Sequence, residues 1–106
     1  REEHGRVTQI SEKRPISTDP RHDPLVIGTF WFRRAGDFVA GAEAMIEAGT
    51  TVGGEHYVGT SINQLIEAGK KVVCFSVDRW TCFGTPFELE LLRWWEAWFA
   101  EAAGND

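Results

Sequence analysis

The chain has little of what builds a metal centre, a membrane span or a nucleic-acid surface. Only two of its 106 residues are cysteine, Cys74 and Cys82, and their spacing suits no metal site. They read as reduced thiols, and with no secretory signal or targeting segment the expected compartment is the cytoplasm. The three histidines, His4, His22 and His56, are isolated, and none stands at a spacing that would activate Cys82 as a nucleophile. No apolar run approaches the length of a bilayer span. Basic residues are scattered, with Lys13-Arg14, Arg33-Arg34 and Lys70-Lys71 as the only doublets, and the net charge is −5. That balance argues against a broad nucleic-acid surface. There is no Walker-type loop, no Ser-His-Asp set, no internal repeat and no low-complexity stretch. The chain opens on Arg1-Glu2-Glu3 rather than Met, which suits an excised piece or a processed product.

What is present is a heavy aromatic load. Five Trp and seven Phe within a 42% hydrophobic composition need somewhere to be buried, and the length fits a single small domain over residues 1–106. Residues 7–11 read as a strand. Residues 14–24 read as a loop, because Pro15, Pro20 and Pro24 fix φ and remove donors. Residues 25–32 are β-branched and aromatic and read as a buried strand, with Gly28 marking a close approach of backbone or ligand. Asp37 is a cap candidate for a helix to about residue 48, with Phe38, Ala42, Met45 and Ile46 at helical spacing and Gly49 as its stop. After a Gly-rich turn at residues 51–55, a second helix is expected at 57–68. Val58, Ile62, Leu65 and Ile66 form its apolar face, and Gly69 ends it. Residues 71–77 and 80–83 read as strands, and Pro86 opens a last helix to about residue 102.

The expected order is β-β-α-α-β-β-α, an α/β fold in which helices pack on a mixed sheet. The last helix carries two apolar stripes. Phe87, Leu91, Trp94 and Trp98 make one; Leu92, Trp95 and Phe99 make the other. Such a helix is either wedged within the structure or turns its second stripe to another chain, which makes a homo-oligomer an expected assembly.

Several residues could carry chemistry. Glu12-Lys13 closes the first strand beside a Pro-rich loop. A lysine there can set its ammonium against a phosphate, and the neighbouring carboxylate can accept hydrogen bonds from hydroxyl groups. An ordinary surface ion pair accounts for the same dipeptide. Glu55 follows Gly53-Gly54 and could bind hydroxyls, or could simply stabilise a helix N-terminus. Trp80 could wall a sugar pocket or sit in a core.

Taken in order, the segments resemble those of sugar-phosphate nucleotidyltransferases. The run from Gly5-Arg6-Val7 to Ser11-Glu12-Lys13-Arg14-Pro15 is similar to that family's G-x-V…E-K-P segment, with Arg14 as an extra residue before the proline. Residues 26–32 resemble its next strand. Gly54-Glu55 with Ile62-Asn63 resembles its G-E…I-N segment, and Trp80-Thr81-Cys82-Phe83-Gly84-Thr85-Pro86 resembles its W-x-D-x-G-T signature. The resemblance covers nearly the whole chain. It implies the C-terminal part of a Rossmann-like nucleotidyltransferase fold.

It also implies an activity: transfer of a nucleotidyl group from a nucleoside triphosphate to a sugar 1-phosphate, with Mg²⁺ as cofactor and release of pyrophosphate. By resemblance Lys13 contacts the sugar phosphate and Glu12 and Glu55 bind sugar hydroxyls. The backbone at Val26 and Gly28 lines the pocket, and Trp80 borders it. The family's Gly-rich triphosphate loop, with its catalytic Arg and Lys and one metal-binding Asp, has no counterpart in these residues. Its other metal Asp aligns with Cys82, and a thiol is a poor ligand for Mg²⁺. These residues alone are therefore not expected to be active, and the expected partner besides a second copy is the N-terminal half of a longer parent. The alternative is a non-catalytic sugar-phosphate-sensing or assembly module.

Overall fold

The computed structural model describes residues 1–104, which fall into two compact units, residues 1–76 and the residues from Val77 onward. The first unit begins with a hairpin of two short strands, β1 (Glu2–Glu3) and β2 (Arg6–Val7), paired antiparallel with Glu2 opposite Val7. Its two-residue turn, His4-Gly5, has positive φ at both positions (52° and 73°), the twist that matches a right-handed hairpin. The backbone N–H of Val7 also donates to the carbonyl of Val72 at 3.0 Å, so residues 71–77 start alongside the hairpin without forming a ladder on it. A single 3-10 turn, Pro20–His22, interrupts the Pro-rich loop.

Two helices come next, α1 (Ala35–Glu47) and α2 (Val58–Glu67), and they pack on each other. Both end as their glycines dictate. Gly49 (φ 64°) donates to the Ile46 carbonyl and Thr50 to that of Met45; Gly69 (φ 77°) and Lys70 repeat the pattern onto Ile66 and Leu65. These are two Schellman motifs, in which a left-handed residue lets the chain turn back and satisfy the last carbonyls. At the other end α1 starts at Ala35, two residues before Asp37. Asp37 lies in the first turn, where its charge suits the helix dipole, and it pairs with Lys70 at 2.8 Å.

The core is small. Val7, Met45, Ile62 and Leu65 are its buried apolar side chains, and Ser61, only 1% exposed, donates to the Val58 carbonyl at 2.7 Å. α1 approaches α2 at Gly41. A Cβ there would stand 2.9 Å from the Ser61 carbonyl oxygen and 3.0 Å from Leu65 Cγ.

The second unit contains α3 (Pro86–Ala103). Thr85 and Glu88 close a capping box: the Glu88 N–H donates to Thr85 Oγ1 at 3.2 Å, and the Thr85 N–H donates to the Glu88 carboxylate at 2.9 Å. Pro86 occupies the first turn, where its missing N–H costs nothing. None of the helix's residues is fully buried. Trp94, Trp95, Trp98 and Phe99 cluster edge-to-face and stacked along it, with centroids 4.7–6.1 Å apart.

The α/β architecture expected from sequence is corrected by these elements. Among the described residues there are three helices and one hairpin of two-residue strands. There is no mixed sheet, and so no C-terminal part of a Rossmann-like fold. Residues 25–32, 71–77 and 80–83 belong to no ladder. Their composition suits a pleated, half-covered surface, yet a strand holds no hydrogen bonds of its own and exists only against a neighbour. A helix satisfies its backbone internally, so the three helical segments need no neighbouring strand for their hydrogen bonds. The consequence is exposure of large side chains, with Leu25 at 75%, Trp31 at 76% and Phe75 at 65%. Gly28 has positive φ (81°), but no protein atom lies within 4 Å of where its Cβ would stand, so no backbone approaches it closely among the described residues.

Gly41→Ala is expected to destabilise the helix pair. The added methyl meets backbone, which cannot swing aside, and overpacking costs typically ~1–3 kcal/mol, against a helix-propensity gain of roughly 1 kcal/mol for replacing Gly. A urea melt should show a lower midpoint; an unchanged or higher one would mean that α1 and α2 separate without loss.

Candidate functional site

Three of the residues singled out from sequence come together in the first unit. Lys13 Nζ lies 3.5 Å from Glu55 Oε2, although the two are far apart in the chain. Lys13 reaches it from a left-handed backbone (φ 58°), a conformation rare for a long side chain and one that clusters where function fixes geometry. Glu55 is presented by a tight turn. Val52 and Glu55 exchange backbone hydrogen bonds of 2.9 and 3.2 Å across Gly53 and Gly54, whose φ values of 61° and 83° are those a two-residue turn requires. His56 Nδ1 meets the Thr50 carbonyl at 3.0 Å and ties the base of that turn.

Tyr57, the residue immediately before α2, completes the cluster. Its hydroxyl donates to Glu55 Oε2, and its ring lies 4.9 Å below the Lys13 ammonium. The Tyr57 hydroxyl, and after it the Lys13 charge, hold the Glu55 carboxyl below its ordinary range. Lys13 is held above the usual lysine value by Tyr57 first and by Glu55 after it. Both side chains are well exposed, 61% and 67%, so water screens the pair and leaves the ammonium open to an incoming anion.

Glu12 sits beside this cluster, half-buried against the first turn of α2. A Cβ on Gly59 would overlap its Oε1, so the glycine is what admits the carboxylate. A hollow of about 250 Å³ opens there, with Glu12, Arg14, Thr51, Gly53, Thr60 and Asn63 in its wall. It is small for a ligand pocket, and its wall mixes apolar side chains with a cation at Arg14 and a carboxylate at Glu12. A larger hollow of about 400 Å³ lies by the hairpin, lined by Glu3, Gln9, Asn63 and Glu67 among others; it includes none of the site residues the resemblance implies.

The other expected residues are not gathered at this cluster. Val26 is exposed, and neither it nor Gly28 lines the hollow around Glu12. Trp80 belongs to the second unit and is half exposed there. Cys82 is also in that unit, and the Glu88 carboxyl is held below its ordinary value by the neighbouring Cys82 thiol first and by Thr85 after it. Burial, then Glu2, pushes the Cys74 thiol up, the opposite of an activated nucleophile. Among the described residues no three His, Cys, Asp or Glu side chains come close enough to hold a metal ion. With a thiol where the resemblance calls for a carboxylate, these residues do not fit Mg²⁺.

Tyr57 and Arg14 were not among the site residues expected from sequence. A tyrosine two residues beyond a glycine-presented glutamate is the one signal that could have pointed to the first. Compared with protein families, with curated proteins and with solved structures, the chain finds no match in any of the three.

Tyr57→Phe is expected to raise the pH at which Glu55 titrates, because it removes the largest influence holding that carboxyl down. Lys13→Ala should raise it as well, because the ammonium contributes both its charge and a hydrogen bond. A carboxyl with a lowered folded value contributes stability above its unfolded value and loses that contribution as pH falls through the folded one, so the cluster loosens in acid. Carboxyl carbon NMR through a pH titration reads this directly; an unmoved Glu55 in the Phe variant would contradict the assignment.

Proposed function

We propose that this chain is the sugar-phosphate-binding portion of a sugar-phosphate nucleotidyltransferase. The reading rests on the site and not on the fold. The observation that carries it is the meeting of Lys13 with Glu55 and Tyr57 beside the half-buried Glu12. An exposed ammonium and Arg14 offer charge for a phosphate; two carboxylates and a phenol offer acceptors and a donor for sugar hydroxyls. A phosphate arriving at Lys13 competes with Glu55 for the same ammonium and releases that carboxylate toward the hydroxyls. The nucleotidyl transfer itself needs charge placed around a triphosphate. The residues present supply a sugar-phosphate contact and no triphosphate cradle. The non-catalytic alternative, a sugar-phosphate sensor, is supported by Cys82, a thiol at the position where the resemblance calls for a metal-binding carboxylate.

Titration of the 106-residue chain with glucose 1-phosphate tests the reading. Binding is expected without pyrophosphate release when Mg²⁺ and any of the nucleoside triphosphates are added. Lys13→Ala should weaken binding by roughly tenfold and leave the melting temperature nearly unchanged, as its exposure implies. Equal affinities in the two proteins, or a large loss of melting temperature without loss of affinity, would remove Lys13 from the site.

The same reading includes association with a second copy through the aromatic face of α3, where Phe87, Trp94, Trp98 and Phe99 are all about half exposed or more. The solution mass should exceed that of one chain and fall to it in Trp95→Glu. A monomeric wild-type protein would end that part of the proposal.

A further inference from the structure

We infer that Asn63 is a positioning residue for the cluster of Glu12, Lys13 and Glu55: its carboxamide stands in for a neighbouring strand at Ile10 and holds the segment carrying Glu12 and Lys13 against α2. The inference rests on reading that cluster as a sugar-phosphate site.

The geometry is bidentate. The Ile10 N–H donates to Asn63 Oδ1 at 2.8 Å, and Asn63 Nδ2 donates to the Ile10 carbonyl at 2.8 Å. A primary amide offers an acceptor and a donor side by side, which is what one face of a peptide unit needs. The backbone dictates the orientation of the amide, since only its oxygen can meet an N–H and only its nitrogen a carbonyl. Ile10 lies just past the hairpin, where ladder pairing has stopped, and one side chain satisfies both of its backbone groups. Among the described residues no other hydrogen bond ties residues 10–14 to α2.

The clamp is separate from the helix packing. Ile62 and Leu65 on α2 are buried, and Ser61 and Leu65 meet Gly41 of α1, whereas Asn63 is only half-buried. Asn63 shares its face with Gly59, one turn earlier. Gly59 admits the Glu12 carboxylate and comes within 3.2 Å of Ile10 Cγ2, counted from its missing Cβ. Two successive turns of α2 therefore receive Ile10 and Glu12. Lys13 comes next in its left-handed conformation and reaches Glu55 and Tyr57, which lead into that same helix. Releasing Ile10 frees the segment that places the ammonium while leaving the contact of α1 with α2 intact.

The test uses the full chain, glucose 1-phosphate as probe, and two variants. In Asn63→Ala the Ile10 amide should exchange with solvent roughly tenfold faster or more, while amides of α1 and α2 keep their protection. Glu55 should titrate at higher pH as Lys13 departs. Glucose 1-phosphate should bind more weakly, by up to the roughly tenfold loss expected when Lys13 itself is removed.

Asn63→Asp separates the clamp from a general need for a polar residue. Its carboxylate still accepts from the Ile10 N–H but meets the Ile10 carbonyl without a donor, so at neutral pH the segment should be held less firmly than in wild type and more firmly than in the Ala variant. Once protonated it regains a donor, and Ile10 protection should return. Wild type at matched pH controls for Glu12 and Glu67, which line the hollows next to residue 63. Unchanged Ile10 exchange and Glu55 titration in the Ala variant would overturn the inference. So would undiminished binding with the segment freed, or an Asp variant that does not recover in acid. Failure of the wild-type chain to bind glucose 1-phosphate would overturn the sugar-phosphate reading instead, and the exchange and titration results would still decide the clamp.

Discussion

Everything ordered in the first unit hangs on the close approach of α1 to α2 at Gly41. The contact admits no side chain on α1 at that point, because the Ser61 carbonyl oxygen already occupies the space a methyl would need. Small residues on both sides let Met45, Ile62 and Leu65 meet, and these three with Val7 are all the apolar core the described residues have. A core of four side chains leaves little margin. Burying each is worth about 1.5–3 kcal/mol, and the conformational entropy of the whole unit opposes it. The Schellman ends at Gly49 and Gly69 and the ion pair of Asp37 with Lys70 then matter more than they would in a larger domain, because they define where each helix stops and in which direction the chain leaves it.

The site inherits its geometry from α2. That helix has no side-chain cap of its own at Tyr57. Glu12 brings a carboxylate to its first turn from another part of the chain, and Asn63 binds the backbone two residues earlier. Glu12 packs against Gly59 in that first turn and stands in the wall of the hollow, open to a ligand. Lys13 differs: exposed, conformationally strained and paired with a carboxylate that water screens, it contributes little to the fold. That division suits binding. In the proposed binding, the residue that exchanges partners is the one least committed to the structure.

Helices and their ends were legible in the sequence; strands were not. The spacing of Ala42, Met45 and Ile46, and of Val58, Ile62 and Leu65, located α1 and α2 to within two residues, because helical hydrogen bonds are local and the stopping glycines act on their own turn. Residues 25–32 and 71–77 carry equally strong β composition and form no ladder, because pairing depends on a partner that composition cannot name. At the site, Glu12, Lys13 and Glu55 were readable as candidates by type, since charge next to a Gly-rich turn or a Pro-rich loop is a local feature. Their meeting was not readable from spacing. Asn63 as a clamp leaves no periodic trace: a half-buried asparagine on a helix looks like any solvated position until Ile10 is seen against it.

The exposed apolar segments and the polar site are two results of one arrangement. In the first unit, side chains that could have enlarged the core, Leu25, Trp31, Val73 and Phe75 among them, stay outside it. The chain places its tertiary hydrogen bonds elsewhere, on Ile10 through Asn63 and on Val7 through Val72. These three bonds act on the hairpin and the segment just after it: Val72 holds Val7, and Asn63 holds Ile10 against α2. Ordering the polar segment therefore takes precedence over covering the apolar ones. A sequence selected for stability alone would reverse that order, since each covered aromatic contributes more than a screened ion pair. The retained arrangement makes sense if the placement of Glu12 and Lys13 is what the unit is built to preserve.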